Sequence, residues 1–104
     1  MTYYAERNRL KRMIRSFRDA KTDALFNDLE VPKFRSIERV ARRKLLYLNR
    51  AQHLEDLRVP PGNRLEALKG NRKGQYSVRI NDQWRICFRW KNGDAYDGEI
   101  TDYH

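Results

Sequence analysis

Between residues 75 and 90 polar and apolar side chains alternate almost without exception. Tyr76, Val78 and Ile80 are apolar, set between Gln75, Ser77 and Arg79. Trp84, Ile86, Phe88 and Trp90 repeat the pattern against Arg85, Cys87 and Arg89. A period of two over this length predicts strands that bury one face. Residues facing each other on antiparallel strands point to the same side of the sheet. Apolar must therefore face apolar: Ile80 with Trp84, Val78 with Ile86, Tyr76 with Phe88. That register needs a three-residue loop, Asn81-Asp82-Gln83, and sets Arg79 opposite Arg85 on the polar face. Like charges directly opposite destabilise a sheet. Either both side chains splay into water, or they frame an anion site, most naturally for a phosphate.

The Asn92-Gly93 pair marks the next turn. A third strand then runs from 95 towards the end. Placing Ile100 opposite Ile86 and Gly98 opposite Phe88 puts Arg89 against Asp97 and Arg85 against Thr101. Tyr103 then shares the polar face with Arg79 and Arg85, and His104 follows it. Upstream, residues 13–17 read as a short strand. Asp19 is an N-cap for a helix reaching Leu29, with Asp23 near its first turn and Leu25 and Leu29 one turn apart; Pro32 ends it. The second helix is predicted over 35–49, because Phe34, Ile37, Val40, Ala41, Leu45 and Leu48 recur every three or four residues. Its other face carries Arg35, Arg39, Arg42 and Arg43, with Glu38 and Arg42 as an i,i+4 pair. Pro60, Pro61 and Gly62 turn the chain. In the segment after them Leu65 and Leu68 are anchors, and Arg64, Glu66 and Lys69 project outwards. Two helices together with these antiparallel strands make an α+β set of elements.

Composition narrows the partners. At 104 residues the chain suits one domain. Apolar residues make up 39% and the mean hydropathy is −0.99, so one modest core is all it can build. Lys and Arg number 23 against 14 acids, a net charge of +9, which points to a polyanionic partner. No apolar run reaches membrane-spanning length, so no membrane role is expected. The single cysteine, Cys87, forbids an intramolecular disulfide and suits a reducing cytoplasm. Cys87 reads as a small filler rather than a nucleophile. One Cys and two His at no ligand spacing offer no metal site, and no cofactor motif is present.

Met13-Ile14-Arg15-Ser16-Phe17, the Asn63-Arg64-Leu65-Glu66-Ala67-Leu68-Lys69-Gly70 segment, Asn81-Asp82-Gln83-Trp84-Arg85-Ile86 and the closing Asp102-Tyr103-His104 resemble the HigB toxins of the RelE/ParE superfamily. The resemblance covers residues 13–104 and leaves 1–12 outside as a basic extension, open between a disordered arm, an upstream-start extension and a short helix. It implies a RelE-like α+β fold, a small twisted antiparallel sheet packed against two N-terminal helices. It implies the toxin of a type II toxin–antitoxin system: a ribosome-dependent mRNA endonuclease that inhibits translation. It further implies a HigA-like antitoxin with a helix-turn-helix fold, contact with operator DNA only through that antitoxin, and action at the A site of the small ribosomal subunit. Some family members have His where this chain has Glu66. The related YoeB toxins resemble this chain in having Glu there.

The residue types fit such chemistry. RNA carries its own nucleophile, the 2′-OH. Cleavage needs a base near it, positive charge on the phosphorane-like oxygens and an acid at the 5′ leaving oxygen. Glu66 is the candidate base and Arg85, with Arg79, the charge stabiliser. Tyr103 or His104 is the candidate acid. Lys69, Arg64, Arg79 and Asp102 are candidate RNA contacts. Two other classes remain open at this point: a ParE-like toxin acting on DNA gyrase, and a non-catalytic RNA-binding module.

Overall fold

The computed structural model describes residues 14–103. The extension expected at 1–12 and the terminal His104 lie outside these residues.

The sheet follows the alternation. Its four strands are antiparallel and lie in chain order: β1 (Glu66–Ala67), β2 (Tyr76–Arg79), β3 (Trp84–Lys91) and β4 (Asp94–Asp102). Tyr76 faces Phe88, Val78 faces Ile86 and Arg79 faces Arg85, as apolar-to-apolar matching requires. The Ile80 N–H closes the hairpin on the Trp84 carbonyl at 2.9 Å. On the far side of β3, Ile86 faces Ile100 and Arg85 faces Thr101, also as expected.

Beyond Cys87 the register slips by one residue. Cys87 faces Glu99, but Arg89 faces Tyr96, so Gly98 does not pair with Phe88 and Asp97 does not pair with Arg89. The two side chains still meet, with Arg89 Nε 3.6 Å from Asp97 Oδ2. The cause is a bulge in β4, where Asp97 takes a left-handed φ of 57°. Residues distant in the chain hold it. The Asp97 N–H donates to Ser16 Oγ at 2.9 Å, and the Gly98 N–H donates to the Ser16 carbonyl at 3.0 Å. Phe17 crosses so close to Gly98 that a Cβ there would lie 3.4 Å from its ring. The strand expected at 13–17 is, over its described part, two parallel bridges to β4, Ile14 with Ala95 and Phe17 with Gly98.

Helix α1 (Ala20–Phe26) starts as expected, with the Asp19 side chain accepting from the Thr22 N–H. It stops three residues short of Leu29. The Asp28 N–H returns to the Leu25 carbonyl and the Leu29 N–H to the Ala24 carbonyl, with Asp28 left-handed at φ 67°. This is a Schellman-type stop with Asp in the place Gly usually takes. Leu29 is consequently exposed, not a core residue. Pro32 opens a 3-10 turn (Pro32–Ile37), which leads into α2 (Glu38–Arg50). The predicted second helix is thus two helical pieces, joined where Ile37 leaves helical geometry at φ −117°.

The apolar positions predicted from the helical period pack on one face of the sheet. Phe34, Ile37, Ala41, Leu45 and Leu48 meet Val78, Ile86, Phe88 and Ile100 in one core. The Phe34 ring meets the edge of Trp84 with centroids 5.7 Å apart. Arg42 is turned inwards from the arginine face. Its Nε donates to the Leu25 carbonyl at 3.0 Å, its Nη2 to the Leu29 carbonyl at 2.8 Å and its Nη1 to Glu38 at 2.9 Å. It locks the end of α1 onto α2, while Arg35, Arg39 and Arg43 are exposed.

Candidate active site

The opposite face of the sheet carries the polar residues, yet its middle is closed. Gln75, Ser77 and Cys87 are buried. Arg72 helps to close it, donating from Nη1 to Gln75 Oε1 at 3.0 Å and to Glu99 Oε1 at 3.3 Å. Burial pushes the Cys87 thiol up from its usual range, partly offset by the Thr101 side chain. A thiol so placed is a poor nucleophile and a good filler, as its sequence position suggests.

Strand register assembles the site around Arg85. Glu66 on β1 faces Ser77 on β2. Ser77 in turn faces Cys87 on β3, two residues from Arg85 and on the same side. The Arg85 Nε donates to Ser77 Oγ at 2.7 Å and its Nη2 donates to the Arg64 carbonyl at 2.8 Å. Glu66 Oε1 stands 3.6 Å from the same Nη2, and the Arg85 side chain is only 11% exposed against 54% for Glu66. The guanidinium carbon lies 5.5 Å from the centroid of the Tyr103 ring, within cation–π range. Arg85 is therefore fixed in two directions by neutral acceptors. The nearby Glu66 carboxylate is half in water, where attraction is screened.

The opposed arginines are also explained. Arg79 pairs with Asp82 in the hairpin loop and Arg85 with Glu66, so each cation has its own carboxylate. That loop fixes the C-terminal stretch as well. Asn81 Oδ1 accepts from the N–H groups of Gln83 and Trp84, both at 2.8 Å. The Tyr103 N–H donates to the Gln83 carbonyl at 2.6 Å, and Gln83 Nε2 donates to Asp102 Oδ2 at 3.1 Å.

Of the sequence candidates, Glu66, Arg85 and Tyr103 come together, with Arg79 beside them. Asp102 lies at the sheet end opposite Trp84. The Arg64 and Lys69 side chains are exposed, and Arg64 enters the site through its carbonyl. Ser77 and Gln83 were missed. Ser77 had one visible signal, a hydroxyl in the polar row next to the arginine pair. Among the described residues no group of three His, Cys, Asp or Glu side chains is placed to hold a metal ion.

The architecture is a fold already seen in a solved structure. A chain of the YoeB–YefM complex from Staphylococcus aureus superposes with a TM-score of 0.52 at 18% identity, covering 88% of this chain and 97% of that one. Residues 9–104 match the family model described as the RelE-like toxin of type II toxin–antitoxin system HigB, and the chain belongs to this HigB-like toxin family. Over 60 residues it is 53% identical to Toxin HigB-1 of Vibrio cholerae, a stretch covering 58% of this chain and 63% of that protein. Over 41 residues it is 46% identical to Endoribonuclease HigB of Proteus vulgaris, covering 39% and 45% of the two chains. These matched stretches thus span less than two thirds of either relative.

Proposed function

We propose that this chain is the toxin of a type II toxin–antitoxin pair and cleaves mRNA on the ribosome. The observation that carries this reading is Arg85, held by Ser77 and the Arg64 carbonyl with Glu66 and Tyr103 against it. Membership of the HigB-like family and the likeness to a relative named as an endoribonuclease support it.

In the proposed reaction Glu66 takes the proton of the RNA 2′-OH. The 2′-oxygen attacks the adjacent phosphorus, and the bond to the 5′-oxygen breaks as the new one forms, leaving a cyclic phosphate. Arg85, with Arg79, balances the charge that gathers on the non-bridging oxygens. Tyr103 or His104 returns a proton to the departing 5′-oxygen. Arg64, Lys69 and Asp102 contact the strand on either side. Docking in the ribosomal A site would align the RNA; orientation of this kind is worth up to about 7–11 kcal/mol in well-placed reactants. The partner that silences the toxin is a HigA-like antitoxin, which alone contacts the operator DNA. The place of action is the cytoplasm.

The test is to map mRNA cut sites in a purified translation reaction with and without assembled ribosomes. Cuts that appear only with ribosomes, and vanish when the neighbouring antitoxin is added, are expected. Arrest of growth without any cut would remove the nuclease reading and favour action on gyrase.

A further inference from the structure

One polar group in the core has no part in that scheme. Lys44 lies on the buried face of α2, between Ala41, Leu45 and Leu48, and is itself only 7% exposed. A Leu or Met there would continue the apolar stripe. Its ammonium donates to Oδ1 of Asn63, which is wholly buried. No carboxylate takes part in this bond, and Arg43 and Arg79 add repulsion to the desolvation that already lowers the lysine's proton affinity. The Tyr47 ring, 5.8 Å from the ammonium, offsets part of that cost, and a buried cation can be retained for the geometry it fixes.

The far side of Asn63 supplies that geometry. Its Nδ2 donates to the carbonyls of Leu57 and Val59, at 3.1 Å and 3.2 Å, gathering the chain between α2 and β1 into a fixed turn. The next residue is Arg64, left-handed at φ 46°, and in that conformation its carbonyl receives Nη2 of Arg85 at 2.8 Å. Glu66 follows two residues later at the edge of the sheet. We infer that Lys44 and Asn63 are positioning residues: a buried strut from α2 that aims the Arg64 carbonyl at Arg85 and sets Glu66 beside the guanidinium before RNA arrives. Neither residue touches substrate. The inference rests on the proposed nuclease site for its catalytic consequence, but its structural content stands apart from it.

The experiment reads the Arg85 side chain directly by nitrogen-15 NMR of the full chain, with its Nε–H signal assigned by loss in Arg85→Lys. In Lys44→Met, which keeps the apolar stem, and in Asn63→Asp, which replaces the donor facing Leu57 and Val59 by oxygen, that Nε–H should exchange with water at least tenfold faster. The backbone amides of β2 and β3 should stay where they are. Single-turnover cleavage on saturating ribosomes should fall at least tenfold in both, with ribosome affinity unchanged. Lys44→Gln keeps a shorter amide donor and covers the case in which Lys44→Met does not fold; it should show the same change to a lesser degree. Variants that merely melt earlier, with the Arg85 signal and the cleavage rate of folded protein as in the wild type, would overturn the strut. If the wild type cuts no RNA, the nuclease reading fails while the NMR arm still decides the strut.

Discussion

Arg85 holds its guanidinium through two directional bonds, one to a hydroxyl and one to a carbonyl. A lysine has a single ammonium and no planar fork with which to make both. Arg85→Ala should lower single-turnover cleavage about 10²- to 10³-fold, the cost of roughly 3–4 kcal/mol for one preorganised donor. Arg85→Lys should recover only part of it, and Glu66→Gln should cost about 10²- to 10⁴-fold as the loss of a general base. All three should still bind the antitoxin; cleavage at the wild-type rate in all of them would place the chemistry elsewhere. Lys44 carries a pH prediction. Its folded proton affinity is lowered from the ordinary value of 10.5, chiefly by burial and then by Arg43 and Arg79. Between its folded and unfolded pKa the unfolded chain binds more protons, so stability rises with pH in that window. The charging penalty weighs fully below the folded pKa and fades as pH climbs towards 10.5. Urea titrations of wild type and Lys44→Met should therefore show the difference in stability shifting towards wild type as pH rises. A difference that stays flat would contradict it.

At the scale of elements, burial periodicity made the hairpin register legible, because a one-residue slip would turn every apolar side chain of β2 to the wrong face. That sufficed to oppose Arg79 and Arg85 and to bring Tyr103 to their side. The β4 bulge was not legible. It depends on Ser16 and Phe17, some 81 residues from Asp97 in the chain, and no local pattern in β4 encodes a contact made so far away. The early end of α1 was hidden for another reason. Asp28 does the work of a left-handed glycine, and only the closed hydrogen bonds reveal it. The hold of the Arg64 carbonyl on Arg85 was hidden because every residue has a carbonyl and the alphabet does not mark which one turns inwards. Arg42 belongs to the arginine-rich face, but two of its three bonds tie α2 to the end of α1. Arg42→Ala should cost about 1–3 kcal/mol of stability, since it removes charge-assisted hydrogen bonds to two carbonyls and a carboxylate, and should leave the single-turnover rate alone. Arg39→Ala, at an exposed position of the same helix, should be nearly neutral in stability and weaken ribosome binding. Thermal melts and binding curves on the two variants separate these roles; matched effects would mean that the basic face acts as one surface.

For the whole molecule the question is which charges are free to meet a polyanion. The net charge is +9, but several of the cations are internally engaged. Arg42 seals helix ends, Arg72 covers the sheet and pairs with Glu99, and Arg15 pairs with Asp94 at 3.0 Å. The exposed Arg35, Arg39 and Arg43 lie on the helical side of the sheet, whereas Arg85 lies on the other side. Under the proposed function these two basic surfaces have different tasks: the helical side would recruit the ribosome through its RNA, and the sheet face would perform the cut. Recruitment releases counterions and weakens steeply with salt, the logarithm of affinity falling by about 0.7–0.9 per phosphate neutralised for each tenfold rise in salt. Chemistry inside a docked complex is screened far less, because its charges are close and partly desolvated. The log–log slope of ribosome affinity against salt should thus be about −2 or steeper, and triple substitution of Arg35, Arg39 and Arg43 by Gln should flatten it by up to about 2–3. The single-turnover rate at saturating ribosomes should hardly change across the same range. Equal salt dependence of affinity and rate would show that one surface does both, and a flat affinity would remove RNA as the recruiting partner.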